Sequence, residues 1–142
     1  MKSRAALLFL CLSVSCLSNV ANAEDRNALM LGEWCGETQK HGYSWRQTFR
    51  ADGTYETYFE SLTEDDDFPS LVWNSGRWAI TGATFTEMVV SEKMGDAPEE
   101  FLFPSTIYHY EILEIASDRH RLYDPEWDTI FVSTKCVGPA TS

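Results

Sequence analysis

Tyr43-Ser44-Trp45-Arg46-Gln47-Thr48-Phe49, then Arg50-Ala51-Asp52-Gly53, then Thr54-Tyr55-Glu56-Thr57-Tyr58-Phe59-Glu60-Ser61, is the stretch that decides the fold. Tyr43, Trp45, Gln47 and Phe49 fall on one face of an extended chain. Ser44, Arg46, Thr48 and Arg50 fall on the other. A period of two is that of a strand, because successive side chains of a pleated chain point to opposite sides. Ala51-Asp52-Gly53 reverses the chain, with Gly53 able to take a positive φ. Tyr55, Thr57 and Phe59 then restore the alternation. The stretch reads as a β-hairpin with one aromatic face.

Working outward, the same strand-and-turn pattern continues, and no long segment has helical period. Thr63 to Ser70 is an acidic loop holding Phe68-Pro69. Leu71 to Ile80 is a strand, Thr81-Gly82 is a two-residue turn signal, and Phe85 to Glu92 returns. Met94 to Ser105 is a second long loop, with Gly95, Pro98 and Pro104. Thr106 to Ile115, Arg119 to Tyr123 and Trp127 to Cys136 are strands, separated by Ser117-Asp118 and Pro125-Glu126. A first strand around Gly32 to Glu37 brings the count to eight. The connections suit an antiparallel meander, in which neighbours in sequence pair in space. Eight strands are enough to close an up-and-down barrel and so remove exposed edges. An open sandwich is the competing all-β arrangement.

The 142 residues suit one domain, and the chain is 44% apolar and 13% aromatic, too rich in core formers for a disordered segment. A net charge of −11 and a pI near 4.5 disfavour nucleic acid and anionic membrane surfaces as partners. Residues 1–23 read as a secretory signal peptide: Lys2 and Arg4, an apolar run from Ala5 to Leu17, then Ala21-Asn22-Ala23 before Glu24. That run is shorter than the roughly 20 residues a membrane span needs. A lipid anchor on Cys16 would want Leu near Ser13. Residues 24–142 would then form the exported domain, periplasmic or secreted, with no further membrane span, and monomeric. Its nine basic side chains against 22 acidic ones give a net charge of −13. It keeps two cysteines, Cys35 and Cys136. An even count in an exported chain argues for one disulfide. These two lie on the first and last strands, which are neighbours in a closed meander. Closing a loop of about 100 residues is worth roughly 4.7 kcal/mol in the loop-entropy model.

Three motifs carry a family resemblance. Leu31-Gly32-Glu33-Trp34 resembles the G-x-W opening of lipocalins and bacterial lipocalin-like domains. Phe49 to Tyr55 resembles their first hairpin, F-x-x-D-G-x-Y, and Gly76-Arg77-Trp78-Ala79-Ile80-Thr81-Gly82 resembles a second G-x-W hairpin. The resemblance spans Leu31 to Cys136. The central T-D-Y motif of lipocalins proper is absent, which directs it to the looser bacterial lipocalin-like group. It implies an eight-stranded calycin barrel closed at one end by the N-terminal segment, with a small apolar ligand inside in some members. It also implies structural roles for Gly32, Trp34, Gly76 and Trp78, with Lys135 covering Trp34. If Cys35 and Cys136 face outward, alternation sends Trp34 and Lys135 inward together.

With the Trp34 end closed, a guest would enter from the other. In a meander the loops of alternating index share a rim. The loops Thr63 to Ser70 and Met94 to Ser105, and the one holding His41, fall on one rim; the tight turns at Asp52-Gly53, Thr81-Gly82 and Ser117-Asp118 fall on the opposite one. The expected inward face carries Tyr43, Trp45, Phe49, Tyr55, Phe59, Trp78, Ile80, Tyr108, Tyr110, Ile112 and Phe131. Of these, Tyr43, Trp45, Phe59, Tyr108 and Tyr110 are the expected ligand contacts, with Phe101 and Phe103 joining Phe68 in the mouth loops. The alternative is that these side chains simply fill a narrow barrel.

Other chemistry finds little support. The acidic run Glu64 to Asp67 lacks the spacing and glycine of a calcium loop. His41, His109 and His120 have no ligand spacing, and His120 lies between Arg119 and Arg121. Ser44 and Ser75 lack a nucleophile-elbow pattern. No catalytic residue, metal or cofactor is expected. Two functions remain: an exported barrel holding a small hydrophobic or amphipathic ligand, or a filled acidic barrel meeting a basic protein partner.

Overall fold

The computed structural model describes residues 23–63 and 71–138. The expected signal peptide therefore lies almost wholly outside the described residues, as do the acidic run 64–67 and Phe68. A short helix, α1 (Ala23–Met30), precedes eight strands: β1 (Gly32–Thr38), β2 (Tyr43–Phe49), β3 (Thr54–Ser61), β4 (Leu71–Thr81), β5 (Thr84–Met94), β6 (Glu100–Ile115), β7 (Arg119–Asp124) and β8 (Thr129–Lys135). The strands form one closed antiparallel barrel in sequence order. Closure rests on β1 pairing with β8, Trp34 opposite Lys135 and Cys35 opposite Thr134. The sandwich alternative is therefore set aside. Cys35 and Cys136 are joined in a disulfide across this seam, with their Cα atoms 5.0 Å apart. Cys136 lies one residue beyond β8, not within it.

The deciding hairpin forms as the alternation requires. Trp45 stands opposite Phe59 and Phe49 opposite Tyr55. Gly53 takes a φ of +80°. The Asp52 carboxylate accepts hydrogen bonds from the Thr54 amide at 2.9 Å and hydroxyl at 2.7 Å. Those bonds hold Asp52 below the usual carboxylate range.

The closed end is filled. Met30, Trp34, Phe49, Tyr55, Trp78 and Phe85 form a buried cluster, with Leu31, Ile80, Ile112 and Leu122 packed against it. Two indoles seal it by hydrogen bonding to backbone at the base. Trp34 Nε1 donates to the Met30 carbonyl at 2.7 Å, and Trp78 Nε1 to the Arg50 carbonyl at 3.1 Å. Arg26 of α1 donates to the Gly82 carbonyl at 3.0 Å, tying the helix to the β4–β5 turn. Lys135 Nζ lies 3.8 Å from the Trp34 ring centre and donates to the Leu31 carbonyl at 2.7 Å. A cation over an indole face contributes about 0.5–2 kcal/mol. Gly76 sits at a bulge where β4 approaches β5 so closely that a Cβ would enter the Met88 carbonyl, which accounts for glycine there.

One boundary differs from expectation. Residues 100–105 belong to β6, so the β5–β6 loop shrinks to 95–99. Val89 pairs with Thr106 and Ser91 with Phe101, leaving Val90 opposite residues 102–105. A bulge of this kind accommodates Pro104, which has no amide hydrogen for the ladder.

Candidate functional site

The rims divide as the loop lengths imply. The loops 39–42, 95–99 and 125–128, with the end of β3 and the start of β4, share the mouth, and α1 and the tight turns share the closed end. His41 marks the mouth rim: its Nε2 is 2.9 Å from the Thr129 hydroxyl, and its ring is 5.0 Å from Trp127. Lys40 reinforces this latch, donating to the carbonyls of Trp127 at 3.4 Å and Asp128 at 3.1 Å and to the Thr129 hydroxyl at 3.1 Å.

Below the mouth lies a cavity of about 240 Å³, open on one side. An apolar cavity of about 150 Å³ already takes benzene. The barrel is thus filled in its lower half and hollow in its upper half. Tyr43, Trp45, Phe59, Tyr108 and Tyr110, the expected contacts, all line it, as does Phe131. Phe101 and Phe103 do not. Phe101 is 77% exposed and Phe103 is fully exposed, because both lie on β6 at the bulge and not in a loop folded over the mouth.

The aromatic wall is built on close backbone approach. Gly36 on β1 lies against the Trp45 indole, where a Cβ would overlap the ring. Trp45 Nε1 donates to the Ser133 hydroxyl at 3.0 Å. Phe131 packs edge-on against Trp45 at 5.6 Å, and Phe59 edge-on against Tyr43 at 5.5 Å. Edge-to-face pairs of this kind fix ring orientation.

The polar lining was not foreseen. Gln47, Asn74, Glu87, Glu92, Asp124 and Ser133 all face the cavity. Gln47 and Glu87 carried a legible signal, since each occupies the inward face of its strand: Gln47 between Trp45 and Phe49, Glu87 between Phe85 and Val89. Gln47 Nε2 donates to Glu87 Oε1 at 3.0 Å across the barrel interior. Burial pushes the Glu87 carboxyl up to about 7, against the downward pull of hydrogen bonds from Gln47 and Tyr110. Burial, followed by the Glu87 charge, raises the hydroxyls of Tyr55 and Tyr110 above their ordinary value. Tyr43 is pushed up to about 12, by burial first and then by Asp124. Asp124 uses Oδ1 to cap the β7–β8 turn, accepting from the amides of Glu126 at 2.8 Å and Trp127 at 3.2 Å. Among the described residues, the buried side-chain atoms Asn74 Oδ1, Thr57 Oγ1, Tyr55 Oη and His120 Nε2 have no hydrogen-bond partner.

The remaining candidates disperse. His109 is hydrogen-bonded to Thr86 on the outside, and His120 is buried against Trp34 in the closed end. Ser75 is hydrogen-bonded to Ser91 at 2.9 Å. Among the described residues, no group of three or more His, Cys, Asp or Glu side chains is arranged to hold a metal ion, and no helix is long and apolar enough to cross a membrane.

Comparison of the chain with protein-family models, curated proteins and solved structures finds no match.

Proposed function

We propose that this chain is an exported lipocalin-like barrel that holds a small hydrophobic or amphipathic compound in its mouth cavity, by burial and a few polar contacts and without turnover. The observation that carries this reading is the aromatic-walled cavity of about 240 Å³ above a buried aromatic cluster at the base. A concave, mostly apolar site with a few converging polar groups is the ordinary form of a small-molecule site. Kinship with the lipocalin-like group is supported by the closed eight-strand meander, the buried Trp34 after Gly32, and Lys135 over its indole. Export is supported by the disulfide, since such bonds persist in oxidising compartments. Native mass spectrometry of protein isolated from its own host tests the reading. A retained small mass lost on denaturation is expected; protein that is never found with a small mass would contradict it.

A second reading has its own observation. Phe101, Phe103 and Ile107 are exposed on β6 of an acidic chain. We propose as the alternative that this row meets a basic protein partner, with complementary charge steering the encounter. A partner released by salt in the same isolation would favour it.

A further inference from the structure

We propose that the compound held in the mouth cavity is an amphipathic amine, its ammonium group on the Glu87 carboxylate and its aromatic or aliphatic body between Trp45, Phe59 and Phe131. This inference rests on the reading of the cavity as a ligand site, and it names the ligand's chemistry.

Charge gives the first reason. Glu87, Glu92 and Asp124 line the cavity, and among the described residues no Lys, Arg or His side chain does. The negative field converges: after burial, Glu126, Glu92, Glu87 and Asp124 each raise the Tyr108 hydroxyl above its ordinary value. Lys40, on the rim, is committed to the carbonyls of Trp127 and Asp128. A carboxylate guest would enter against like charge with no cation to receive it.

Hydrogen-bonding capacity gives the second. An ionised carboxylate offers about four lone-pair sites. Glu87 is only 7% exposed, and its hydrogen bonds come from Gln47 and Tyr110. Asn74 Oδ1, also on the cavity wall, is a buried acceptor that receives no donor. The site has acceptors to spare, and an ammonium brings three donors. The electron-rich faces of the wall rings suit a cation as well.

Depth sets the orientation. Glu87 lies three residues from the closed end of β5, next above Phe85 on the inward face. Trp45, Phe59 and Phe131 stand nearer the mouth. The head therefore points down and the body fills the ring-lined part.

The pairing carries a pH signature. The Glu87 charge reaches the hydroxyls of Tyr55, Tyr108 and Tyr110, all raised, and the carboxylates of Glu92 and Asp124 share the cavity lining with it. The tyrosines stay protonated near neutrality. Glu87, titrating near 7, must lose its proton to hold the ammonium. Amine affinity then falls about thirty-fold from pH 8 to pH 5.5.

The test titrates the intact protein with 2-phenylethylamine, 2-phenylethanol and 3-phenylpropanoate by calorimetry. At pH 8 the amine is expected to bind at least about tenfold tighter than the alcohol, the increment of one charge-assisted hydrogen bond, and the propanoate weakest. In Glu87→Gln the ratio of amine to alcohol affinity falls to near one. Should that variant fail to fold, the pH series on the native protein decides alone, and an amine affinity that is flat from pH 5.5 to 8 overturns the inference. Equal binding of all three compounds also overturns it and leaves the cavity a ligand site. Binding of none overturns both readings.

Discussion

Gln47 of β2 reaches across the barrel to Glu87 of β5, its amide donating at 3.0 Å to a buried carboxylate. The two strands are not neighbours, so the bond spans the interior. It forms a polar floor between the aromatic base and the hollow upper half. Burial makes this carboxyl hold its proton longer than a free one, against the downward pull of the Gln47 bond, and that fixes a dependence of stability on pH.

Glu87 titrates near 7 in the folded chain and near 4.5 unfolded. The folded state therefore binds the extra proton between those values. Its contribution to stability is full below pH 4.5 and is lost as pH rises through 7. Glu87→Gln removes the titration and keeps a hydrogen-bonding shape. Relative to the native protein, the variant is expected to gain roughly 2–3 kcal/mol between pH 4 and pH 8. Urea unfolding across that range measures it, and a constant difference contradicts it.

His120 works in the opposite sense. Its ring lies against Trp34, with centroids 3.3 Å apart, and burial lowers it to about 4, with Lys135 adding to the effect. The unfolded chain takes up the proton first. Stability is therefore full above pH 6.5 and is lost as pH falls through 4. Between pH 4.5 and 6.5 the slopes from Glu87 and His120 oppose each other. Glu87→Gln should uncover a decline on acidification that His120→Gln lacks. Parallel profiles for the two variants would count against both assignments.

Cys35→Ala should cost on the order of 2–5 kcal/mol, as loss of a native disulfide from a small domain does. The bond joins residues 101 apart in sequence, at the seam where β1 meets β8. Thiol counting on oxidised protein that begins after residue 23, and so lacks Cys11 and Cys16, should find neither Cys35 nor Cys136 free. Two free thiols would remove the basis for the estimate.

Trp78→Ala should cost roughly 3–5 kcal/mol through lost transfer and an unfilled cavity. Trp78 packs against Phe49 at 5.6 Å and Phe85 at 6.3 Å and donates to the Arg50 carbonyl. Phe103→Ser, on a fully exposed ring, should stay within about 0.5 kcal/mol of the native protein. Unchanged melting of Trp78→Ala would contradict its place in the base.

Alternation made most of the barrel legible. The faces of Tyr43 to Phe49 and Tyr55 to Phe59 fixed which rings point inward, and the loop lengths fixed which end is open. The 16-residue β6 was harder, because Pro104 reads as a loop signal while a bulge lets the strand run through it. Helix α1 has eight residues and little amphipathic pattern, and only packing on the base gives it a reason to form. In the cavity, the aromatic contacts followed from the period. Glu87 was missed because the charge of one acid among 22 carries no information; its position between Phe85 and Val89 does.

The central claim is that the hollow half of the barrel, and not its base or outer surface, receives the guest. Indole N–H resonances test it directly, because the five tryptophans sample different places. Trp45 and Trp127 line the cavity, Trp34 and Trp78 cap the closed end, and Trp73 lies outside the cavity lining. Titration of labelled protein with neutral 2-phenylethanol should shift the Trp45 and Trp127 signals along one saturable curve and leave Trp34 and Trp78 in place. Saturable shifts confined to Trp34, Trp73 or Trp78, or no saturable shift at Trp45, would contradict a ligand site in the mouth of this barrel.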